Sequence, residues 1–186
     1  MDAPIPHVES AEPGSRRYGL LTAIVLTVVI LDQLTKWQVT SAMRLHETIP
    51  IIPEFFSFTY IRNAGAAFGI LADSQAGFRL VFFGVTSVVA LVLLGTIYAR
   101  LSPTDRAGQV SVASIVGGAV GNLIDRLRAG EVIDFLDFSI MGYHWPAFNV
   151  ADAAITVGVG FLMWHFFTHK EDSPHPNPLP QGERGE

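Results

Sequence analysis

Four apolar runs divide the chain: Tyr18 to Val39, Phe78 to Ala99, Gly108 to Leu127 and Phe148 to Thr168. Each is about 20 residues long, which is what an α-helix needs to cross a hydrocarbon core about 30 Å thick. The connections between them differ. Residues 40–77 form a long one, in which Ile49-Pro50-Ile51-Ile52-Pro53 is predicted to be extended, because proline disfavours helix at itself and at the residue before it. Phe56, Phe58 and Tyr60 then alternate with Ser57 and Thr59, a strand period. The connection 100–107 is short and polar, and 128–147 is longer and carries Asp134 and Asp137. The pattern predicts an all-α integral membrane fold, with four transmembrane helices and a small β-containing region on one membrane face. Residues 1–15 hold Pro4, Pro6 and Pro13 and little to bury, so they are expected to be a flexible tail. Residues 16–170 form the four-span domain, and the proline-rich 171–186 are expected to be disordered and dispensable.

Composition agrees with a membrane chain. Hydrophobic residues make up 49% and charged residues only 16%, where a soluble domain has nearer a quarter charged. The mean hydropathy is +0.37. A net charge of −5 offers no basic field for nucleic acid. The absence of cysteine removes disulfides, thiolate catalysis and Cys-ligated metal sites. Arg16 and Arg17 precede the first apolar run, as in a secretory signal, but Asp32-Gln33-Leu34-Thr35-Lys36 follows it instead of a small-residue cleavage site. The first run therefore reads as a retained span.

Four spans put both termini and the connection 100–107 on one side, and the connections 40–77 and 128–147 on the other. The cations divide evenly between the sides. Lys36 and Arg126 fall within polar clusters that function can explain, so the Arg16-Arg17 pair tips the assignment to termini inside. The β-containing region then lies on the outer face.

Polar groups near membrane depth are functional candidates, and five clusters of them lie on that outer side. Asp32 and Lys36, four apart on a helix, can pair, either to anchor the helix end or to contact a substrate. In Asn63-Ala64-Gly65-Ala66-Ala67-Phe68, Gly65 and the alanines allow a tight turn or close approach to a ligand, and Asn63 can bind a peptide backbone. In Gly117-Gly118-Ala119-Val120-Gly121-Asn122-Leu123-Ile124-Asp125-Arg126, Gly117 and Gly121 permit close helix packing. Arg126, next to Asp125, is expected to hold that carboxylate ionised, and its guanidinium can present a fork of donors to carbonyls. Asp134 has apolar neighbours and is either a water-facing loop carboxylate or a desolvated acid. Asn149 and Asp152 open the fourth span, as a helix cap or as chemistry. Together, Asp134 and Asp152 stand on one membrane face as carboxylates that could share a proton, one serving as base toward water and one as acid toward a peptide. Asp125 is a rival partner for Asp152 and Asp137 a weaker one. The histidines show no zinc-binding spacing.

The ordered motifs Asp-x-x-Thr-Lys, Asn-x-Gly-x-Ala-Phe, Gly-Gly-x-x-Gly-Asn-x-x-Asp-Arg, Val-x-Asp-Phe and Phe-Asn-x-Ala-Asp resemble the bacterial lipoprotein signal peptidases, signal peptidase II, across residues 18–168. The resemblance implies a membrane aspartyl endopeptidase. It would cut diacylglyceryl-modified prolipoproteins just before the lipidated cysteine, in the bacterial cytoplasmic membrane, without a cofactor or metal. It carries over Asp134 and Asp152 as the catalytic dyad, and Asn63, Arg126, Asn122 and Asn149 as substrate-binding or site-orienting groups. Asp32, Lys36, Asp125 and Gly65 carry over as supports. The implied partners are prolipoprotein and membrane lipid, with the enzyme monomeric and the connection 40–77 a candidate lid. Two other classes fit intramembrane carboxylates. A proton-coupled transporter would place them near the midplane between broken helices, and a non-catalytic assembly protein would tolerate loss of Asp134 and Asp152.

Overall fold

The computed structural model describes residues 13–65 and 74–168. Ala66–Phe68 of the second motif, most of both expected tails and part of the candidate lid lie outside them. The described residues form four helices: α1 (Pro13–Ala42), α2 (Ala76–Arg100), α3 (Arg106–Ala129) and α4 (Val150–Thr168). All four are long and apolar enough to cross a membrane. Helix α1 starts at Pro13, inside the stretch expected to be a tail. Proline is well suited to a first helical position, where its missing N–H has no partner to lose.

Helix α3 is the axis of the bundle and packs against each of the other three. Its glycines make this possible. A Cβ on Gly118 would overlap the Ala151 carbonyl of α4, and one on Gly117 would sit 2.8 Å from Val28 of α1. A Cβ on Gly121 would sit 2.6 Å from the Asp32 carboxylate. The backbones thus approach closely where the polar clusters meet. Asp105 caps the start of α3 through Gly108 N–H (2.8 Å), and Gly130, at φ 74°, ends it in the left-handed conformation. At the bundle's other end, Arg17 donates to the Tyr98 carbonyl (2.8 Å) and the Tyr98 hydroxyl donates to the Arg17 carbonyl (2.5 Å), tying α1 to α2.

The two longer connections meet in one antiparallel sheet of order β1-β2-β3-β4. Its strands are β1 (Thr48–Ile52), β2 (Phe56–Asn63), β3 (Val132–Ile140) and β4 (Tyr143–His144). The extended Ile49–Pro53 stretch supplies the edge strand β1, where proline costs no interior hydrogen bond. The strand expected around 56–60 is β2. Asp134 corrects one reading, because it lies on β3 rather than in a loop: Ile61 pairs with Asp134, and Asn63 with Val132. The Phe138 ring packs against Phe56 at a tilt (4.8 Å) and stacks on Phe148 (5.9 Å), and the Leu136–Phe148 bridge ties the sheet to the chain entering α4.

Candidate active site

Asn149 organises the polar centre. It precedes α4, is fully buried, and forms a reciprocal cap with Asp152. Its Oδ1 accepts from Asp152 N–H (2.9 Å), and its own N–H donates to Asp152 Oδ2 (3.3 Å). The capping reading of this cluster is therefore correct, yet it does not use up either side chain. The amide Nδ2 of Asn149 donates to Asp134 Oδ1 (2.7 Å), and Asn122 Nδ2 on α3 donates to Asp152 Oδ1 (2.7 Å). One asparagine thus holds carboxylates from a strand and a helix.

Asp134 is 2% exposed. Its second oxygen accepts from Asn63 Nδ2 (2.9 Å), and the Asn63 Oδ1 accepts from Gly65 N–H (3.0 Å). The turn at Gly65 thereby aims the Asn63 amide at Asp134. Burial, reinforced by the neighbouring Asp152 charge, pushes the Asp134 carboxyl up to about 6, against the pull of the Asn63 and Asn149 hydrogen bonds.

Beneath this pair lies a buried ionic layer. Lys36 Nζ bridges Asp32 Oδ2 (2.8 Å) and Asp125 Oδ2 (2.7 Å) and donates to Asn122 Oδ1 (3.1 Å). Asp32 Oδ1 accepts from Ala151 N–H (3.0 Å), so α1 fixes the first turn of α4. The expected partner of Asp125 is corrected: Lys36 holds it, not Arg126. Adjacent residues point about 100° apart on a helix, so Asp125 faces α1 while Arg126 faces away. The Arg126 guanidinium lies over the Phe83 ring at 4.6 Å and, among the described residues, has no hydrogen bond or ion pair of its own. Its donors are left to the cavity.

That cavity, of about 640 Å³, is lined by Asn63, Gly65, Asn122, Arg126, Asp134 and Asp152, with apolar walls from Trp145, Phe148, Ile155 and Val157. Asp125 and Asp137 do not line it; Asp137 instead accepts from Thr59 (3.3 Å) and pairs with His144 (3.0 Å) on the sheet. Sequence reasoning missed Gln33, whose Nε2 donates to Asp125 Oδ1 (2.9 Å) and to the Gly121 carbonyl (3.3 Å). A polar residue next to Asp32 at span depth was the available signal. Among the described residues, no group of three or more His, Asp or Glu is arranged to hold a metal ion.

The arrangement is a cavity at one end of a membrane bundle, with two carboxylates, one guanidinium and apolar walls. The sequence pattern of the signal peptidase (SPase) II family matches residues 24–168. A lipoprotein signal peptidase of Syntrophotalea carbinolica is 50% identical over 147 residues, 79% of this chain and 90% of that one. Another, from Geobacter sulfurreducens, is 50% identical over 145 residues, 78% of this chain and 89% of that one. A solved bacterial membrane enzyme is similar with a TM-score of 0.75 at 32% identity, covering 87% of this chain and 95% of that one.

Proposed function

The chain belongs to the signal peptidase II family of aspartic-type lipoprotein signal peptidases, and we propose that Asp134 and Asp152 are its catalytic dyad. The observation that carries this reading is the double grip of Asn149 on two carboxylates that line one cavity. Two neighbouring carboxyls share one proton more readily than both ionise. The pair carries one proton in the reactive form; burial, which pushes the Asp134 carboxyl up to about 6, favours Asp134 as its holder, and Asp152 is the base. Asp152 removes a proton from water as its oxygen attacks the scissile carbonyl, while Asp134 protonates the developing oxyanion. Collapse of the tetrahedral intermediate breaks the C–N bond, a hydroxyl proton returns to Asp134, and the proton on Asp152 passes to the leaving amine.

The substrate is a diacylglyceryl-modified prolipoprotein, cut before the lipidated cysteine. The amide of Asn63 and the open guanidinium of Arg126 bind carbonyls flanking the bond, and the apolar walls take the lipid-bearing residue. Asn122 and Asn149 orient the carboxylates. The site faces the outer side of the bacterial cytoplasmic membrane, with both termini inside, and the enzyme acts as a monomer.

Turnover of a diacylglyceryl prolipoprotein by the purified protein in detergent tests the dyad. Asp134→Asn and Asp152→Asn, each folded, should lose at least about 10³-fold in kcat, and Asp125→Asn should keep measurable activity. An active Asp134→Asn beside a dead Asp125→Asn would leave the family membership intact and overturn the dyad.

A further inference from the structure

Strand β3 carries Asp134 near one end and an apolar tip at the other. Ile140 lies six positions after Asp134, about 20 Å of extended chain. Beyond Ile140, Met141 (φ 52°) and Gly142 (φ 80°) both occupy the left-handed region. That is the type I′ pair of a two-residue hairpin, a turn that favours Asn-Gly. Methionine at its first position carries a backbone penalty that asparagine would not. It is also 94% exposed. Ile140, Tyr143 and Trp145 around it are 63%, 84% and 66% exposed. The β1–β2 turn lies alongside, since Ser139 N–H donates to the Phe55 carbonyl (2.9 Å) and the Phe55 and Phe138 rings meet at 5.6 Å. Phe55 and Ile52 are themselves 45% and 50% exposed. One end of the sheet therefore gathers exposed apolar and aromatic side chains around the single carboxylate of Glu54, built partly on a turn that a water-facing hairpin has no reason to choose.

We propose that this tip is a lipid-contacting finger, seated in the headgroup and upper acyl region of the same leaflet from which the cavity opens. The occupant is set by continuity with a surface that lipid already covers. Only four residues separate Trp145 from Val150, where the membrane-spanning α4 begins. Tyrosine and tryptophan flanking an aliphatic tip are the residues that favour the interface. The polar pair Asp137–His144 gives the same hairpin a wet side. Trp145 also lines the cavity, so the finger sits at its mouth and fixes the depth of the strand that carries Asp134. The inference rests on the spans and the hairpin, independently of the chemistry proposed for the dyad.

The test uses the full chain with Tyr143→Trp as the only tryptophan, Trp37, Trp145 and Trp164 being changed to Phe, reconstituted in phosphatidylcholine vesicles. Lipid brominated high on the acyl chain should quench its emission at least twofold more than lipid brominated near the chain end, and more than aqueous iodide. Adding Met141→Asn, which suits the left-handed turn and should fold at least as well, should cut the shallow-lipid quenching by half or more. Quenching by iodide without response to bromolipid would overturn the proposal, leaving the tip in water. Shielding from both that vanishes on dilution of protein in lipid would overturn it in favour of a second copy of the chain.

Discussion

Asp134 has neighbours that explain both its acidity and a cost to the fold. Its carboxyl is pushed up to about 6, against an ordinary aspartate near 4 in the unfolded chain. The folded state therefore holds the proton more tightly. Stability from this residue is fully present below about pH 4 and is lost as pH rises through about 6. Asp134→Asn removes the ionising group while keeping its shape. The thermal midpoint of the wild type in detergent should fall more steeply between pH 4 and 6 than that of Asp134→Asn; parallel profiles would refute the account. Lys36 has the opposite sense. It is 2% exposed between Asp32 and Asp125, so Lys36→Met leaves two buried carboxylates without a cation. Breaking a buried pair in this way costs about 3–5 kcal/mol, which equilibrium unfolding in mixed micelles should register. A cost below about 1 kcal/mol would mean that water reaches the pair. The Asp32–Lys36 contact was legible from its four-residue spacing. The Lys36–Asp125 contact was not, because no local pattern tells which face of α3 meets α1.

Elements deliver these residues to one another, and close approach is their common device. Helix α3 meets α4 where Gly118 lies against the Ala151 carbonyl, one residue before Asp152 and two after Asn149. A methyl group there has backbone in its way, so Gly118→Ala must push α4 outward and with it both halves of the Asn149–Asp152 cap. Gly84→Ala is the control, because a Cβ at Gly84 meets nothing within 4 Å. Gly118→Ala should reduce kcat at least about tenfold, the scale of a displacement of under an ångström in a preorganised site. Gly84→Ala should stay within about twofold. The four helices were readable because apolar runs of span length admit few alternatives. Strand β3 was not. Val132, Leu136, Phe138 and Ile140 share one parity, but Asp134 interrupts that series and Asp137 stands beside it. The residue that makes the site is the one that hides the strand. Its pairing partner lies about 70 positions earlier, beyond any local signal.

At the scale of the whole molecule, polar groups are segregated by end. One end holds the Lys36 layer, the two carboxylates and the sheet; the other holds the Arg17–Tyr98 clasp and the Asp105–His165 contact of 3.0 Å. The even division of cations in the sequence hides this asymmetry, which packing makes visible. Lys36 is buried against two aspartates, and Arg126 faces the cavity, so neither is a free charge that must stay on the inner side. Arg17, by contrast, donates to carbonyls at the C-terminal end of α2, where the helix dipole favours a cation. With Lys36 and Arg126 set aside, the cations near span ends favour both termini inside. The chain has no cysteine, so single substitutions report sidedness cleanly. Arg44→Cys, exposed in the connection after α1, should react with an impermeant maleimide in intact spheroplasts. Thr104→Cys, exposed between α2 and α3, should react only after permeabilisation. The reverse pattern would put the cavity on the cytoplasmic side. A substrate that meets this enzyme after crossing the membrane could not then be cut, so the orientation and the proposed substrate stand or fall together.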